Sequence, residues 1–237
     1  MKAFLYGAGL QWKLDIRSRT MLITCYLVPL LFFAVMGGIF TSVMPETKGT
    51  LIQSMTVFGV TMGALIGVPP SLVEIYGSGI KKMYQANGVP LWLGLILTVL
   101  SSFIHLMIMS VILFLAAPPA FGAEIPENPG MYFLCTAIFT AVSLGVAAVI
   151  GLAVKDQAKT SMISIIAFLP SVMLSGIMFP ADLLPEALET AGKLLPASWG
   201  YKLMTASAFS PGGTAPLLLI FTAAFCLCAL LLHRIDK

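Results

Sequence analysis

The residues able to do chemistry are few and scattered in this chain. His105 lies inside an apolar run, where an imidazole could relay a proton or hydrogen-bond a neighbouring helix, with Ser101 and Ser102 one turn away as partners. Cys25, Cys135, Cys226 and Cys228 also fall in apolar runs, and the Cys226-x-Cys228 spacing sends that pair to different helix faces. The four read as small packing residues, not as a disulfide framework or a metal-ligand set. The sequence contains no GxxxxGK[ST] phosphate loop, no HExxH zinc pair and no GxSxG nucleophile elbow, and the Leu-Ser-Gly string at Leu174 lies in an apolar run that offers no nucleotide site. Nor do the apolar runs hold a pair of carboxylates, as a proton-coupled carrier would need. We therefore expect no catalytic residue, no metal site and no cofactor in this chain.

Polar residues with a pattern occur in two segments. The first, PPSLVEIYGSGIKKMYQANGVP over 69–90, is polar at its centre through Glu74, Gly77, Gly79, Lys81 and Lys82, while Ile75, Ile80, Met83 and Tyr84 give it an apolar side. It reads as a short helix lying across the membrane base and presented to a partner; the alternative is a solvated connector whose lysines only fix topology. The second runs from Ser161 to Tyr201. An apolar run ends at Pro180, because proline lacks the N–H and disfavours helix in the residue before it. Pro185 then stands where a first-turn proline is tolerated, with Asp182, Glu186 and Glu189 near the amino end of the helix that follows and Lys193 four residues beyond Glu189. Leu183, Leu184, Leu188, Leu194 and Leu195 make this stretch too apolar for a free loop and too short to span, as in an interfacial or re-entrant helix. An amphipathic external loop is the alternative.

The elements that must position these residues follow from composition. The chain is 59% hydrophobic and 10% charged, with a mean hydropathy of +0.99, against roughly one-quarter charged residues in a soluble domain. It is an integral membrane protein, and 237 residues leave no room for a soluble catalytic domain beside the membrane one. Six spans are predicted, near 21–43, 51–72, 90–117, 131–154, 161–180 and 214–233. Cytoplasmic termini then place Lys2, Lys13, Arg17, Arg19, Lys81, Lys82, Lys155, Lys159, Arg234 and Lys237 inside and leave only Lys48, Lys193 and Lys202 outside, as the positive-inside rule requires. Residues 1–20 carry Leu5, Ala8, Trp12 and Ile16 at helical spacing with Lys13, Arg17 and Arg19 off that stripe, which predicts an amphipathic helix on the inner leaflet. Gly37-Gly38 and the small residues Ala141, Gly145, Ala148 and Gly151 predict close helix packing.

This order of elements resembles the membrane subunits of type-2 ABC exporters. The outer segment carries most of the resemblance, through a small-residue pair, a Phe-Pro, a Leu-Pro and a second Leu-Pro before aromatics. Ser175, Gly176, Phe179, Pro180, Leu184, Pro185, Leu195, Pro196, Trp199 and Tyr201 match it in turn. The 69–90 segment departs from the family outline, with Ile75 and Tyr76 where charge is expected. The resemblance implies an all-α integral membrane fold of six transmembrane helices, with an amphipathic N-terminal interface helix, a cytoplasmic coupling helix around Glu74 to Asn87 and an external re-entrant helix. One permease domain would cover 1–237: the interface helix over 1–20, five spans over 21–180, the re-entrant region over 181–212 and the last span over 213–233. It further implies a permease that pairs with a second copy or a paralogue and with separate ATP-binding cassette subunits carrying ATP and Mg, in the lipid bilayer of a bacterial plasma membrane, with no nucleic acid involved. Glu74, Gly77, Lys81 and Lys82 would couple to the ATPase, and Phe179, Pro180, Pro185 and Pro196 would form an external gate. The cargo would be an exported drug, antimicrobial peptide, lipid or polysaccharide. The alternative is a non-transporting structural or regulatory membrane subunit on the same scaffold.

Overall fold

Backbone N–H and C=O groups in hydrocarbon must be satisfied within the segment, so apolar runs of this length fold as helices. The computed structural model describes residues 2–178, 184–206 and 211–236, and every regular element among the described residues is helical. In chain order these are α1 (Lys2–Arg17), α2 (Arg19–Val43), α3 (Leu51–Gly77), α4 (Gly79–Ala86), α5 (Leu91–Phe121), α6 (Pro129–Ala153), α7 (Gln157–Met173), α8 (Glu186–Gly192), α9 (Pro196–Thr205) and α10 (Pro211–Asp236). Five of them, α2, α3, α5, α6 and α10, are long and apolar enough to cross a membrane. Local signals set several starts. Ser18 Oγ accepts from Met21 N, Asn128 Oδ1 from Met131 N and Asp156 Oδ1 from Lys159 N, each satisfying an amide that the first turn leaves unpaired.

The fifth predicted span, 161–180, is corrected. Its helix starts earlier, at the Asp156 cap, and ends at Met173, so that its 17 residues measure about 25 Å against the roughly 30 Å of a bilayer core. Pro180 lies outside the described residues and does not set this end. Pro170 is inside the helix, and the chain leaves it through Leu174 and Gly176, whose φ of +88° favours glycine. The first unit is also shorter than 1–20, because Ser18 breaks the helix and caps the next one.

The helices run alternately between a basic end, with Lys81, Lys82, Lys155 and Arg234, and an opposite end, with Glu46, Glu124, Glu127 and Glu186. Helix α3 is the axis of the bundle: 89% of its apolar window is buried, against 17% for α10. Gly59, Gly63 and Gly67 recur every four residues along it and let three neighbours close in. A Cβ on Gly59 would lie 2.5 Å from Met109 Cε, one on Gly63 would overlap Leu106, and one on Gly67 would lie 2.9 Å from Thr24 Oγ1. With hydrocarbon on both sides there is no hydrophobic gain from association, so this close van der Waals approach is what holds α2 and α5 to α3. On the other side, Gly151 of α6 admits Leu72 of α3, and Thr56 Oγ1 bonds Tyr132 Oη at 2.7 Å. Gly145 meets Ala224 of α10 at ordinary contact distance, so the small residues of α6 pack within the subunit.

Candidate functional site

At the basic end the structure divides the predicted coupling segment in two. Glu74 and Gly77 belong to the last turns of α3, which continues unbroken to Gly77, whereas Lys81 and Lys82 lie on the separate helix α4. The expectation of one helix starting near Glu74 is thus corrected: Ser78, with extended backbone and its Oγ accepting from Ile80 N at 3.2 Å, ends one helix and caps the next. Gly77, Lys81 and Lys82 line one cavity of about 420 Å³ with Tyr76, Lys155 and Arg234, while Glu74 is exposed and does not line it. A Cβ on Gly77 would come 3.1 Å from the Lys155 carbonyl oxygen, so this glycine lets the α6–α7 connection approach.

Tyr76 explains the departure from the family outline. Its hydroxyl donates to the Leu91 carbonyl at 2.6 Å and accepts from Leu95 N at 2.9 Å, pinning the end of α3 to the first turn of α5. Helix α4 hangs between these pinned points, and Tyr84 packs on Gly94 beside them. A charge at position 76 could not be buried here; a tyrosine with a satisfied hydroxyl can.

At the opposite end two short helices, not one, follow α7. Pro185 precedes α8 and is exposed, and Pro196 opens α9 and is buried. Phe179 and Pro180 lie outside the described residues, as does Asp182. Glu189 and Lys193 form the expected pair at 2.9 Å, and the lysine holds the carboxyl below its ordinary pKa. Helix α9 is seated inside the bundle against α3, α6 and α10, with Ala197, Ser198, Leu203 and Met204 buried. Gly200 makes the seat possible, since a Cβ there would lie 2.6 Å from Cε2 and 2.8 Å from Cγ of the fully buried Phe139. Two contacts tie this region to the end of α7: Ser198 Oγ donates to the Leu174 carbonyl at 3.3 Å, and a Cβ on Gly192 would lie 2.6 Å from the same oxygen. A cavity of about 370 Å³ opens beside α9, lined by Phe40, Thr50, Ser54, Gly176, Tyr201 and Lys202 among others.

His105 is held at a third place, the joint between α1 and α5. Its Nδ1 bonds Tyr26 Oη at 2.7 Å, and its ring stacks on Trp12 at 4.2 Å between centroids. The partners are therefore Tyr26 and Trp12, not Ser101 and Ser102, whose hydroxyls find no hydrogen-bond partner among the described residues. The inward face of α1 is Ala8, Gln11, Trp12 and Asp15. Ile16, expected on one apolar stripe with Ala8 and Trp12, is 46% exposed together with Tyr6, Leu10 and Leu14. Helix α1 turns apolar residues outward and a carboxylate inward.

Burial raises the pKa of Asp15, with the hydrogen bond from Gln11 and the nearby His105 partly offsetting it. The docked carboxyl holds its proton to higher pH than a free one, so docking of α1 is strongest below the ordinary carboxylate value of 3.8 and weakens as pH rises through the raised value. Hydrogen exchange of the α1 amides should accordingly quicken over that window. Asp15→Asn should flatten the dependence and slow exchange at neutral pH; an unchanged pH profile in the variant would assign the dependence to another group.

Together these features define a class: a multi-pass, all-helical membrane domain with a buried axial helix, a basic appendage at one end and short helices folded into the other. The chain belongs to the ABC-2 type transporter family, whose model matches residues 6–209. It is thus the membrane-embedded permease part of an ABC transporter, a part that is not itself catalytic, and members of the family normally pair with ATP-binding cassette subunits. Comparison with curated proteins finds no match.

Proposed function

We propose that this chain is the permease of an ATP-driven exporter for an apolar or amphipathic substrate such as a drug, an antimicrobial peptide, a lipid or a polysaccharide. ATP and Mg are held by a separate ATP-binding subunit, and a second permease copy or a paralogue completes the membrane part. The basic end faces the cytoplasm of a bacterial cell, in keeping with the ten-to-three split of Lys and Arg between the two ends. Helix α7 with the chain after it forms the remaining crossing of a six-span domain, and α8 and α9 form the external re-entrant region.

One observation carries the reading. The most buried helix, α3, reaches from Thr50 and Leu51 at the outer cavity to Gly77 beside the lysines of α4, so a displacement of α4 is transmitted to the far cavity along a single packed element. Nucleotide binding to the partner would favour one of two arrangements of this element, which is a population shift. The external cavity, with Pro196 at the start of α9, is the place where the path would open and close. The absence of charge from the axial helix window favours apolar cargo over a small ion.

The test is purification of the tagged chain from its native membrane, followed by reconstitution with whatever ATPase accompanies it. A stoichiometric ATP-binding partner and ATP-dependent movement of an amphiphile support the proposal. A complex that binds ATP yet moves no amphiphile or polymer would replace it with a structural or regulatory role.

A further inference from the structure

Two cavities and a groove near the basic end have the dimensions and polarity of a phospholipid. The basic cavity described above holds Lys81, Lys82, Lys155 and Arg234 on three separate elements, lined by no acidic residue, and none of the four forms an ion pair among the described residues. It shares Gln85 with a second cavity of about 640 Å³, lined by Trp92 at the start of α5 and by Ala229, Leu232 and His233 at the end of α10. About one turn deeper on the same two helices, an apolar groove of about 370 Å³ runs between Ile96 and Phe103 of α5 and Phe221 and Phe225 of α10, floored by Gly145 of α6. The groove is open to the side, with Ile96 42% and Phe225 68% exposed.

From this succession of cationic, amphipathic and apolar linings we propose that the α5–α10 face binds one anionic phospholipid from the leaflet at the basic end, its phosphate toward Lys155 and Arg234 and its acyl chains in the groove. The charge complementarity selects the occupant. Four unpaired cations at headgroup depth attract a net negative lipid, whereas a zwitterionic one brings its own cation. Trp92, 51% exposed, stands at the depth where an indole settles between headgroups and chains. The acyl groove is lined by α5, α6 and α10 without α3, and the site does not depend on whether the chain exports.

Native mass spectrometry of the detergent-purified full chain, titrated with dioleoyl phosphatidylglycerol or dioleoyl phosphatidylcholine, tests the proposal. The one-to-one phosphatidylglycerol adduct should half-saturate at a concentration about fivefold or more below that of phosphatidylcholine. Lys155→Ser/Arg234→Ser should erase this preference while leaving phosphatidylcholine binding unchanged, and Ile96→Trp, which fills the groove, should weaken both lipids. Glycerol phosphate in excess should leave the phosphatidylglycerol adduct in place. Equal retention of the two lipids, or a preference that survives the double variant, overturns the site. Displacement by glycerol phosphate would show a free-anion pocket instead, and a lipid-free dimer would show the groove to be covered by a second copy.

Discussion

Gly200→Leu unseats α9 and lowers the stability of the detergent-solubilised protein by about 3 kcal/mol, the upper part of the range for forcing bulk into a packed core. For a chain of this size that corresponds to roughly 6–12 °C in the midpoint of thermal unfolding. The size of the effect follows from what the new side chain meets. A single Cβ would already lie 2.6 Å and 2.8 Å from two carbons of the Phe139 ring, and that ring is fully buried in α6 and has no space to retreat. Gly200→Ala should therefore also destabilise, by less. Gly9→Ala, where a Cβ would meet nothing within 4 Å, serves as the control and should leave the midpoint unchanged or slightly raised. A Gly200→Leu midpoint within 2 °C of the wild type, a small fraction of the roughly 6–12 °C expected, would mean that α9 does not rest on Phe139.

Lys81→Glu/Lys82→Glu weakens capture of the ATP-binding subunit by about tenfold or more and removes its stimulation by the permease, if α4 receives that subunit as proposed. Reversing two charges replaces attraction by repulsion at a surface where complementarity governs both encounter and register. Raising the salt concentration should weaken the wild-type complex and narrow the difference. Lys48→Glu, at the opposite end, changes the net charge without touching α4 and should have no effect. Tyr76→Phe keeps every cation but loses both hydrogen bonds that pin α3 to α5, so it should uncouple stimulation from binding: capture stays, stimulation falls. Undiminished capture by the double lysine variant would move the docking surface away from α4.

The long helices were legible because hydrocarbon demands some twenty apolar residues in a row, a signal that a single segment carries by itself. The caps at Ser18, Asn128 and Asp156 are local too, but the apolar runs were read without them, and so the helix that starts at the Asp156 cap was placed late. What was misread depends on partners distant in sequence. Pro180 looked like the end of the fifth apolar run, yet that helix stops at Met173, where Leu174 is engaged by Ser198 and Gly192 from beyond the turn. Tyr76 looked like a lost charge, and only its bonds to Leu91 and Leu95 show why an aromatic stands there. Asp15 carried no signal in the sequence until the structure put it against α5. The stripe of Gly59, Gly63 and Gly67 stands in the sequence at a spacing of four but was passed over, and what it admits, Met109, Leu106 and Thr24, lies far from it along the chain.

The joint between α1 and α5 also bears on how the chain is made. Helix α1 is made before α5, but its buried face has no home until the run containing Ser101 and His105 has been delivered to the membrane. Ninety residues separate Asp15 from His105, which at ordinary rates of synthesis is a wait of about 5–20 s. During that interval the outward apolar residues of α1, Tyr6, Leu10 and Leu14, can hold it at the bilayer surface while Trp12 and Asp15 remain wet. Docking of α1 thus reports that α5 has been inserted, and α1 closes onto the bundle as a late step although it was translated before α5.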